Sequence, residues 1–457
     1  GSDRDVLAVG ADGGHLTVLD YEPCASGSGQ PPAVVHCPLF GHTGCRRGVP
    51  GQYLSSDPKG RAVMISAVEK RKFVYVLNRD AGGRPTIASP LEAHRARTVV
   101  FDTVGLDNGY DNPIFASLEY QYPDMDDAIA AAEASAAAAA ASVSSSSDSS
   151  GKTGSTGTSN SNSTASASSA AATRVEKQLA YYELDLGLNH VSRRFATPAH
   201  RSACCLAALP GGADGPGGVL VGGEDWIEYL HEDMPTAESA GSDVMDVEGG
   251  SGSSKPKQKP TKIICALPRR SLHPSGRGVL ITSIVVHRTG KKKAKFFALA
   301  QTEYGDLYKV TIRTDPKDKT VVIGLTASLF DTLPVANGLN VSKLGMLFVP
   351  AEFGDHALYQ FLRIDVDDVA PTCTSEQSTE AYLAQTDSAD EMTYYGKSEN
   401  AASVAGSFVP TALKNLRRVA KADSLAPVTD VIIGELAGNE VSPQIYALCG
   451  RGPRSSL

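Results

Sequence analysis

The sequence predicts an all-β fold, a β-propeller outside the WD40 class that is interrupted by three long polar segments. Pairs of apolar alternating runs, each pair joined by a short polar turn, recur along the chain. Without the polar segments, the pairs return about every 40–50 residues, which is the spacing of propeller blades. The single tryptophan, Trp226, follows an aspartate, which is the reverse of the Trp-Asp pair that marks WD40 blades.

Each pair of runs is typical of a β-hairpin. Alternating apolar residues favour strands, and glycines in turns such as "DGG" and "YGD" allow the positive φ that tight turns need. Five hairpins are contiguous and span residues 5–22, 61–80, 218–232, 295–312 and 345–364. A sixth hairpin forms if residues 112–122 pair with residues 177–187, and a seventh begins at residue 443.

The chain opens inside one predicted hairpin and stops inside another. An open ring leaves strand edges unpaired, and such edges promote aggregation. We therefore expect a propeller that is incomplete at both ends and belongs to a longer protein.

Three polar segments are expected to be disordered insertions: residues 123–174, 232–260 and 365–407. The first is an alanine tract followed by a Ser/Gly/Thr/Asn tract, and it contains no aromatic residue. Ordering a chain costs about 1–2 kcal/mol per residue, and such compositions bury too little apolar surface to offset that cost.

Composition argues against several classes of protein. The 457 residues carry a net charge of −8, whereas a dedicated nucleic-acid-binding domain is normally basic. The cysteines lack a CxxC pair, and we recognise no motif of clustered cysteines and histidines at zinc-ligand spacing, so we expect reduced thiols in a cytosolic or nuclear protein. The eight are Cys24, Cys37, Cys45, Cys204, Cys205, Cys265, Cys373 and Cys449.

No motif predicts catalysis, so we expect no catalytic, cofactor-binding or metal site and no enzyme. A G-x-S-x-G elbow is absent, and "SGKT" at residues 150–153 lacks the first glycine of a phosphate loop. An enzyme with its site in the propeller channel would need converging carboxylates. Four glutamates recur at hairpin turns, although charged turns also explain them: Glu69, Glu224, Glu303 and Glu352.

Two basic clusters have an open interpretation. Residues 255–262 together with Arg269 and Arg270 could be a nuclear localisation signal or a solvated linker. Residues 288–295 are expected at a hairpin tip, where they are either an ordinary charged tip or a contact for phosphate or an acidic partner.

Long, irregular stretches of the chain are specific enough to compare with known proteins: residues 44–80, 89–94, 181–193, 209–221, 300–311, 352–361, 413–416 and 449–457. These stretches resemble the splicing factor 3b subunit 3 family, whereas the three polar segments do not. That family shares its architecture with the large subunit of the damage-specific DNA-binding protein and the largest subunit of the cleavage and polyadenylation specificity factor.

The resemblance implies a particular architecture. Members of this family consist of three seven-bladed propellers and a helical C-terminal domain. On that template residues 1–457 form the first propeller, seven-bladed and partial, and residues 444–457 begin the second.

The resemblance also implies a function, a non-enzymatic scaffold of the splicing factor 3b complex. That complex belongs to the U2 small nuclear ribonucleoprotein, which acts in the nucleus in pre-mRNA splicing and branch-site recognition. The implied partners are the HEAT-repeat subunit 1, the small subunit 5 and the PHD-finger-like subunit, with only indirect association with small nuclear RNA and pre-mRNA. No cofactor, membrane or small-molecule substrate is implied. The alternative is an adaptor of a cullin-type ubiquitin ligase, like the damage-specific DNA-binding relative.

Overall fold

The computed structural model is built of β-strands with two short helical turns, Gly212–Asp214 and residues 375–378. In the part of the chain that it describes, no helix has the length and apolar character needed to cross a bilayer. The described residues are 6–10, 16–20, 33–36, 52–67, 72–81, 85–93, 95–109, 111–122, 177–231, 263–271, 278–289, 295–336, 338–342, 344–365, 370–378, 406–425, 428–434 and 444–449.

The first half of the chain contributes three sheets. Sheet 1 contains β1 (Val6–Gly10), β2 (Leu16–Asp20) and β3 (Ala33–His36). Sheet 2 contains β4 (Gln52–Ser56), β5 (Ala62–Ala67), β6 (Lys72–Arg79), β7 (Pro85–Ile87) and β8 (Leu91–Glu92). Sheet 3 contains β9 (Thr98–Gly105), β10 (Ile114–Gln121), β11 (Lys177–Asp185) and β12 (His190–Ala199).

The second half contributes three more sheets. Sheet 4 contains β13 (Cys205–Ala208), β14 (Val219–Gly222), β15 (Trp226–Leu230) and β16 (Ile263–Ala266), and is followed by the short β17 (Arg269–Arg270). Sheet 5 contains β18 (Ile281–Thr289), β19 (Lys295–Thr302), β20 (Asp306–Thr314), β21 (Val322–Thr332) and β25 (Thr372–Thr374). Sheet 6 contains β22 (Asn340–Val341), β23 (Met346–Val349), β24 (His356–Phe361) and β27 (Leu416–Ala422).

Two smaller pairings complete the described strands. The strand β26 (Ser407–Phe408) pairs in parallel with β17. The strands β28 (Val428–Gly434) and β29 (Gln444–Cys449) form an antiparallel hairpin.

The first strands of the six sheets form a continuous inner row. Contacts run from β1 to β4, then to β9, β13, β18 and β22, and each of these is the edge strand of its own sheet. Successive antiparallel sheets that meet through their first strands are the arrangement of a β-propeller. The predicted all-β propeller is therefore confirmed.

The first six predicted hairpins form. The contiguous ones are the antiparallel pairs β1–β2, β5–β6, β14–β15, β19–β20 and β23–β24. The sixth is the pair β10–β11, in which Tyr120 lies opposite Lys177 across the long polar segment.

The predicted number of blades is corrected. The described residues form six sheets of three or more strands, not seven. The seventh predicted hairpin was expected to begin at residue 443 and to continue forwards along the chain. Its strand β29 instead pairs backwards with β28, and this pair forms a two-stranded sheet of its own.

The third predicted insertion is also corrected in part. Within residues 365–407, Thr372–Thr374 form β25, which pairs with β21 at the outer edge of sheet 5. Cys373 is fully buried there, because its side chain packs with the apolar cluster between sheets 4 and 5. Because the residues around this short strand are polar, its single buried residue forms no apolar pattern in the sequence. Residues 123–174 and 232–260 lie outside the described residues, so their disorder stays a prediction.

The hydrophobic core lies between neighbouring sheets rather than in one central body. One buried cluster joins each sheet to the next, so most strands in the middle of the row are covered on both faces. Pairs of residues that share a cluster across successive sheets are Leu16 with Ile65, Met64 with Phe115, Leu118 with Val221, Leu220 with Val310, and Leu299 with Leu347.

Candidate protein-interaction groove

A groove with a cavity volume of about 590 Å³ opens where loops of sheets 3, 4 and 5 meet. Its walls come from the β9–β10 loop, the β13–β14 loop and residues 320–322 at the entry to β21. Each of these loops follows the first or third strand of its sheet. They therefore lie at the same end of the antiparallel sheets, and the groove crosses three of them.

The glycine-rich loop of residues 211–218 can lie in this groove because glycines stand where it approaches the neighbouring backbone. A Cβ on Gly211 would come within 1.9 Å of the Asp107 carbonyl oxygen. Gly218 has a φ of +82°, and a Cβ there would lie 2.6 Å from the Leu230 carbonyl oxygen. Both contacts are shorter than atoms tolerate, and the positive φ favours glycine. The stretch lies between β13 and β14.

Hydrogen bonds from two sheets hold the walls in place. Asp107 accepts a hydrogen bond from the Gly211 N–H at 3.2 Å, which links the sheet 3 loop to the sheet 4 loop. Arg61 of sheet 2 donates to the Asp111 carbonyl oxygen at 2.6 Å while its Nε pairs with Asp57 at 2.8 Å. The groove is thus preformed by contacts that do not involve a ligand.

The lining of the groove combines apolar and acidic groups. Val321 is 47% exposed, and the Asp111 side chain is also exposed. The Tyr229 hydroxyl donates to the Gly217 carbonyl oxygen at 3.2 Å, and burial raises the pKa of this tyrosine. An exposed aliphatic side chain in a concave, preformed site suits contact with a bound molecule.

Polar groups also bind the inner strands to each other. Asp102 of β9 accepts hydrogen bonds from the N–H groups of Leu206 at 2.7 Å and Thr103 at 2.8 Å. Burial raises the pKa of Asp102 to about 7 although both hydrogen bonds favour the carboxylate. Nearby, Lys177 donates to the Ala203 carbonyl oxygen at 2.6 Å. These bonds fix β13 against sheet 3.

A second buried network links sheets 2 and 3. Lys72 forms an ion pair with Glu119, and the Tyr182 hydroxyl donates to the Glu119 carboxylate at 3.1 Å. Lys72 and Glu119 are both buried, and burial lowers the pKa of Lys72. Because each charge has a partner, the pairing offsets part of the desolvation cost, and the network fixes the position of one sheet on the next.

The basic cluster proposed as a nuclear localisation signal is divided by the structure. Arg269 is buried and pairs with Asp225, whereas Arg270 binds both carboxylate oxygens of Asp306 at 2.7 and 2.8 Å. These arginines are structural, so the interpretation of Arg269 and Arg270 as part of a signal is wrong. Residues 255–262 lie outside the described residues.

Two of the recurring glutamates, Glu224 and Glu303, have structural partners. Glu224 accepts a hydrogen bond from the Gly278 N–H at 2.9 Å, and Glu303 accepts one from the Leu280 N–H at 3.2 Å. Both bonds fix the chain that enters β18. Within the described residues, no group of three or more His, Cys, Asp and Glu side chains could hold a metal ion. Glu69 lies outside that part of the chain.

The second basic cluster is described only at its ends. Arg288, the last residue but one of β18, forms an exposed ion pair with Asp214 of the glycine-rich loop. The β18–β19 hairpin on either side of the cluster forms as expected, with Thr289 opposite Lys295. Residues 290–294 lie outside the described residues, so the role of the tip stays open.

Comparison with known protein families identifies the family of this propeller. Residues 1–409 match the family described as the RSE1/DDB1/CPSF1 first beta-propeller. The chain belongs to this family. The match covers sheets 1 to 5, the first three strands of sheet 6 and the groove, so these elements are those of an RSE1/DDB1/CPSF1 first propeller.

Relatives of the RSE1/DDB1/CPSF1 propeller from several organisms align with the whole chain. It is 39% identical to spliceosome-associated protein 130 A of Arabidopsis thaliana and 38% identical to splicing factor 3B subunit 3 of Danio rerio, and covers 30% of each. It is 36% identical to the pre-mRNA-splicing factor prp12 of Schizosaccharomyces pombe and covers 32% of it. The chain thus spans about a third of the length of these relatives, and the resemblance to splicing factor 3b subunit 3 is confirmed.

Proposed function

We propose that this propeller is a non-enzymatic scaffold of the splicing factor 3b complex in the U2 small nuclear ribonucleoprotein. It would act in the nucleus, in pre-mRNA splicing and branch-site recognition. One observation carries the proposal. Relatives with spliceosomal names are 36–39% identical to the chain, and the alignment covers all of it.

The proposed partners are the HEAT-repeat subunit 1, the small subunit 5 and the PHD-finger-like subunit, with small nuclear RNA and pre-mRNA reached indirectly. We propose the groove between sheets 3, 4 and 5 as a contact surface for one of these proteins. Its preformed walls support this, because a site that is already ordered loses little entropy when a partner binds. Residues 444–457 would lead into a second propeller.

A second candidate is an adaptor of a cullin-type ubiquitin ligase. The name of the matching family includes DDB1, and this observation favours the candidate. The spliceosomal names of the relatives aligned over the whole chain favour splicing.

The test uses the full-length protein as bait in nuclear extract, with mass spectrometry as the readout. Wild type is compared with Val321→Asp and Asp111→Lys, which alter the groove without touching its buried supports. The control is Phe353→Asp, because Phe353 is 40% exposed in the β23–β24 turn at the opposite end of its sheet. Thermal melting of each variant confirms folding.

We expect wild type and the Phe353 control to recover the HEAT-repeat subunit and its small companions, and the groove variants to lose at least one of them. Recovery of a cullin ligase without splicing subunits would overturn the splicing assignment. Equal recovery by all variants would overturn only the assignment of the groove.

A further inference from the structure

Two consecutive cysteines at the entrance to β13 turn their sulfur atoms to the same side. The Cys204 thiol donates to the Ile281 carbonyl oxygen at 3.0 Å, and the Cys205 thiol lies 3.6 Å from that same oxygen. Consecutive side chains within a strand point to opposite faces. The two converge because Cys204 precedes the strand, which begins at Cys205. The result is a dithiol with both sulfurs in one place.

A neighbouring glycine leaves room for the pair. A Cβ on Gly222 would come within 2.6 Å of the Cys205 sulfur. The Gly222 carbonyl oxygen accepts the Cys204 N–H at 2.9 Å and lies 3.5 Å from the Cys204 sulfur. The end of β14 therefore holds the backbone of Cys204 and at the same time leaves space beside the sulfurs.

The two thiols differ in solvent exposure and in pKa. Cys204 is partly exposed, whereas Cys205 is buried, and neither forms a disulfide. The hydrogen bond from Cys205 lowers the pKa of Cys204, and the Lys177 ammonium acts in the same direction against burial. The same contact raises the pKa of Cys205. Cys204 is thus the nucleophile that a reagent meets first, and Cys205 is the second sulfur within reach.

We propose that Cys204 and Cys205 form a binding site for a soft electrophile that bridges two thiols, of the chemical class of trivalent arsenicals. With an organoarsenic oxide, two S–H bonds and the As–O bonds break while two As–S bonds form. The oxygen leaves with both protons as one water, and no atom is oxidised or reduced. Thiolates prefer soft centres, and two sulfurs suffice for this ligand.

The test treats the reduced full chain with phenylarsine oxide and maps the adduct by intact mass and peptide mass. We expect one phenylarsenic group on the peptide that holds both cysteines. It should resist glutathione but leave with dithiothreitol, because the second As–S bond forms intramolecularly. Cys204→Ser and Cys205→Ser should each retain about 10²-fold less arsenical, the scale of such an effective-concentration gain.

A matched control comes from another cysteine pair between sheets. The Cys265 thiol lies 3.3 Å from the Cys373 carbonyl oxygen, and both residues are fully buried, so Cys265→Ser should retain the arsenical as wild type does. Circular dichroism melts show whether each variant folds. Equal labelling of wild type and the folded Cys204→Ser variant would overturn the proposal. So would a wild-type adduct at this peptide that glutathione removes as fast as dithiothreitol does.

Discussion

Strands in the middle of the ring and strands near its end differ in how many of their faces are covered. In β10, the first six residues are all buried, and in β15 all five are. In β27, Leu416 is buried but the six residues after it are exposed, and Ile445 of β29 is 72% exposed. Both β10 and β15 pack against a neighbouring sheet on each face, whereas the residues of β27 after Leu416 have no such cover among the described residues.

The comparison teaches that a propeller sheet depends on its neighbours more than on its own sequence. Burial stabilises by about 25 cal/mol per Å² of apolar surface, and a middle sheet gains it on two faces. Middle sheets also carry the buried ion pairs, Lys72 with Glu119 and Arg269 with Asp225. We expect stability to be concentrated between sheets 2 and 5.

The largest expected effect is at a buried ion pair. Asp225→Asn leaves Arg269 buried without a counter-charge, and should lower the free energy of unfolding by about 3–5 kcal/mol. Asparagine tolerates the positive φ of 68° at this position, so strain does not contribute. Chemical denaturation followed by tryptophan fluorescence measures the change.

The matched control directly follows the exposed strand β27. Asp423 is 92% exposed beside Lys421, so Asp423→Asn should change the free energy of unfolding by no more than about 0.5 kcal/mol. Similar losses for both variants would contradict the difference between the two regions.

A truncation pair tests the comparison with apolar side chains. Leu118 of β10 is fully buried between sheets 3 and 4, so Leu118→Ala should cost about 2–5 kcal/mol. Ile445→Ala on β29 should cost no more than about 0.5 kcal/mol, because its side chain is mostly exposed. A large loss at Ile445 would show that β28–β29 is covered in solution.

Local patterns predicted the hairpins because each depends on residues adjacent in the chain. Alternation and turn glycines were sufficient to predict the β14–β15 hairpin. The β10–β11 hairpin was predicted by joining the two alternating runs on either side of the long polar segment. The groove was not predicted, since Asp107, Gly211 and Val321 are far apart in sequence and only the packing of sheets 3, 4 and 5 side by side brings them together. Arg269 was misinterpreted for the same reason: its partner Asp225 lies 44 residues away.

A pH experiment tests the burial of a carboxyl on the inner strand β9. The pKa of Asp102 is about 7 in the folded protein, above the value of about 3.9 for an unfolded chain. Its contribution to stability is therefore fully present below about pH 4 and is lost as pH rises through 7. The stability of wild type minus that of Asp102→Asn should fall over this window, by up to about 1.4 kcal/mol per pH unit. A constant difference would contradict the buried environment of this carboxyl.

The smallest expected effect is deletion of residues 124–174. The strands on either side pair directly, with Tyr120 opposite Lys177, so the remaining residues can close the β10–β11 hairpin. Shortening a loop lowers its closure entropy slowly, and the free energy of unfolding should stay unchanged or rise by about 1–2 kcal/mol.

Deletion of residues 370–378 is the matched control from another polar segment. It removes β25, the buried Cys373 and the Ser378 hydroxyl that accepts the Ala266 N–H at 3.0 Å, so a loss of several kcal/mol should follow. If both deletions were neutral, β25 would add nothing to sheet 5; if both were costly, residues 124–174 would pack on the ring.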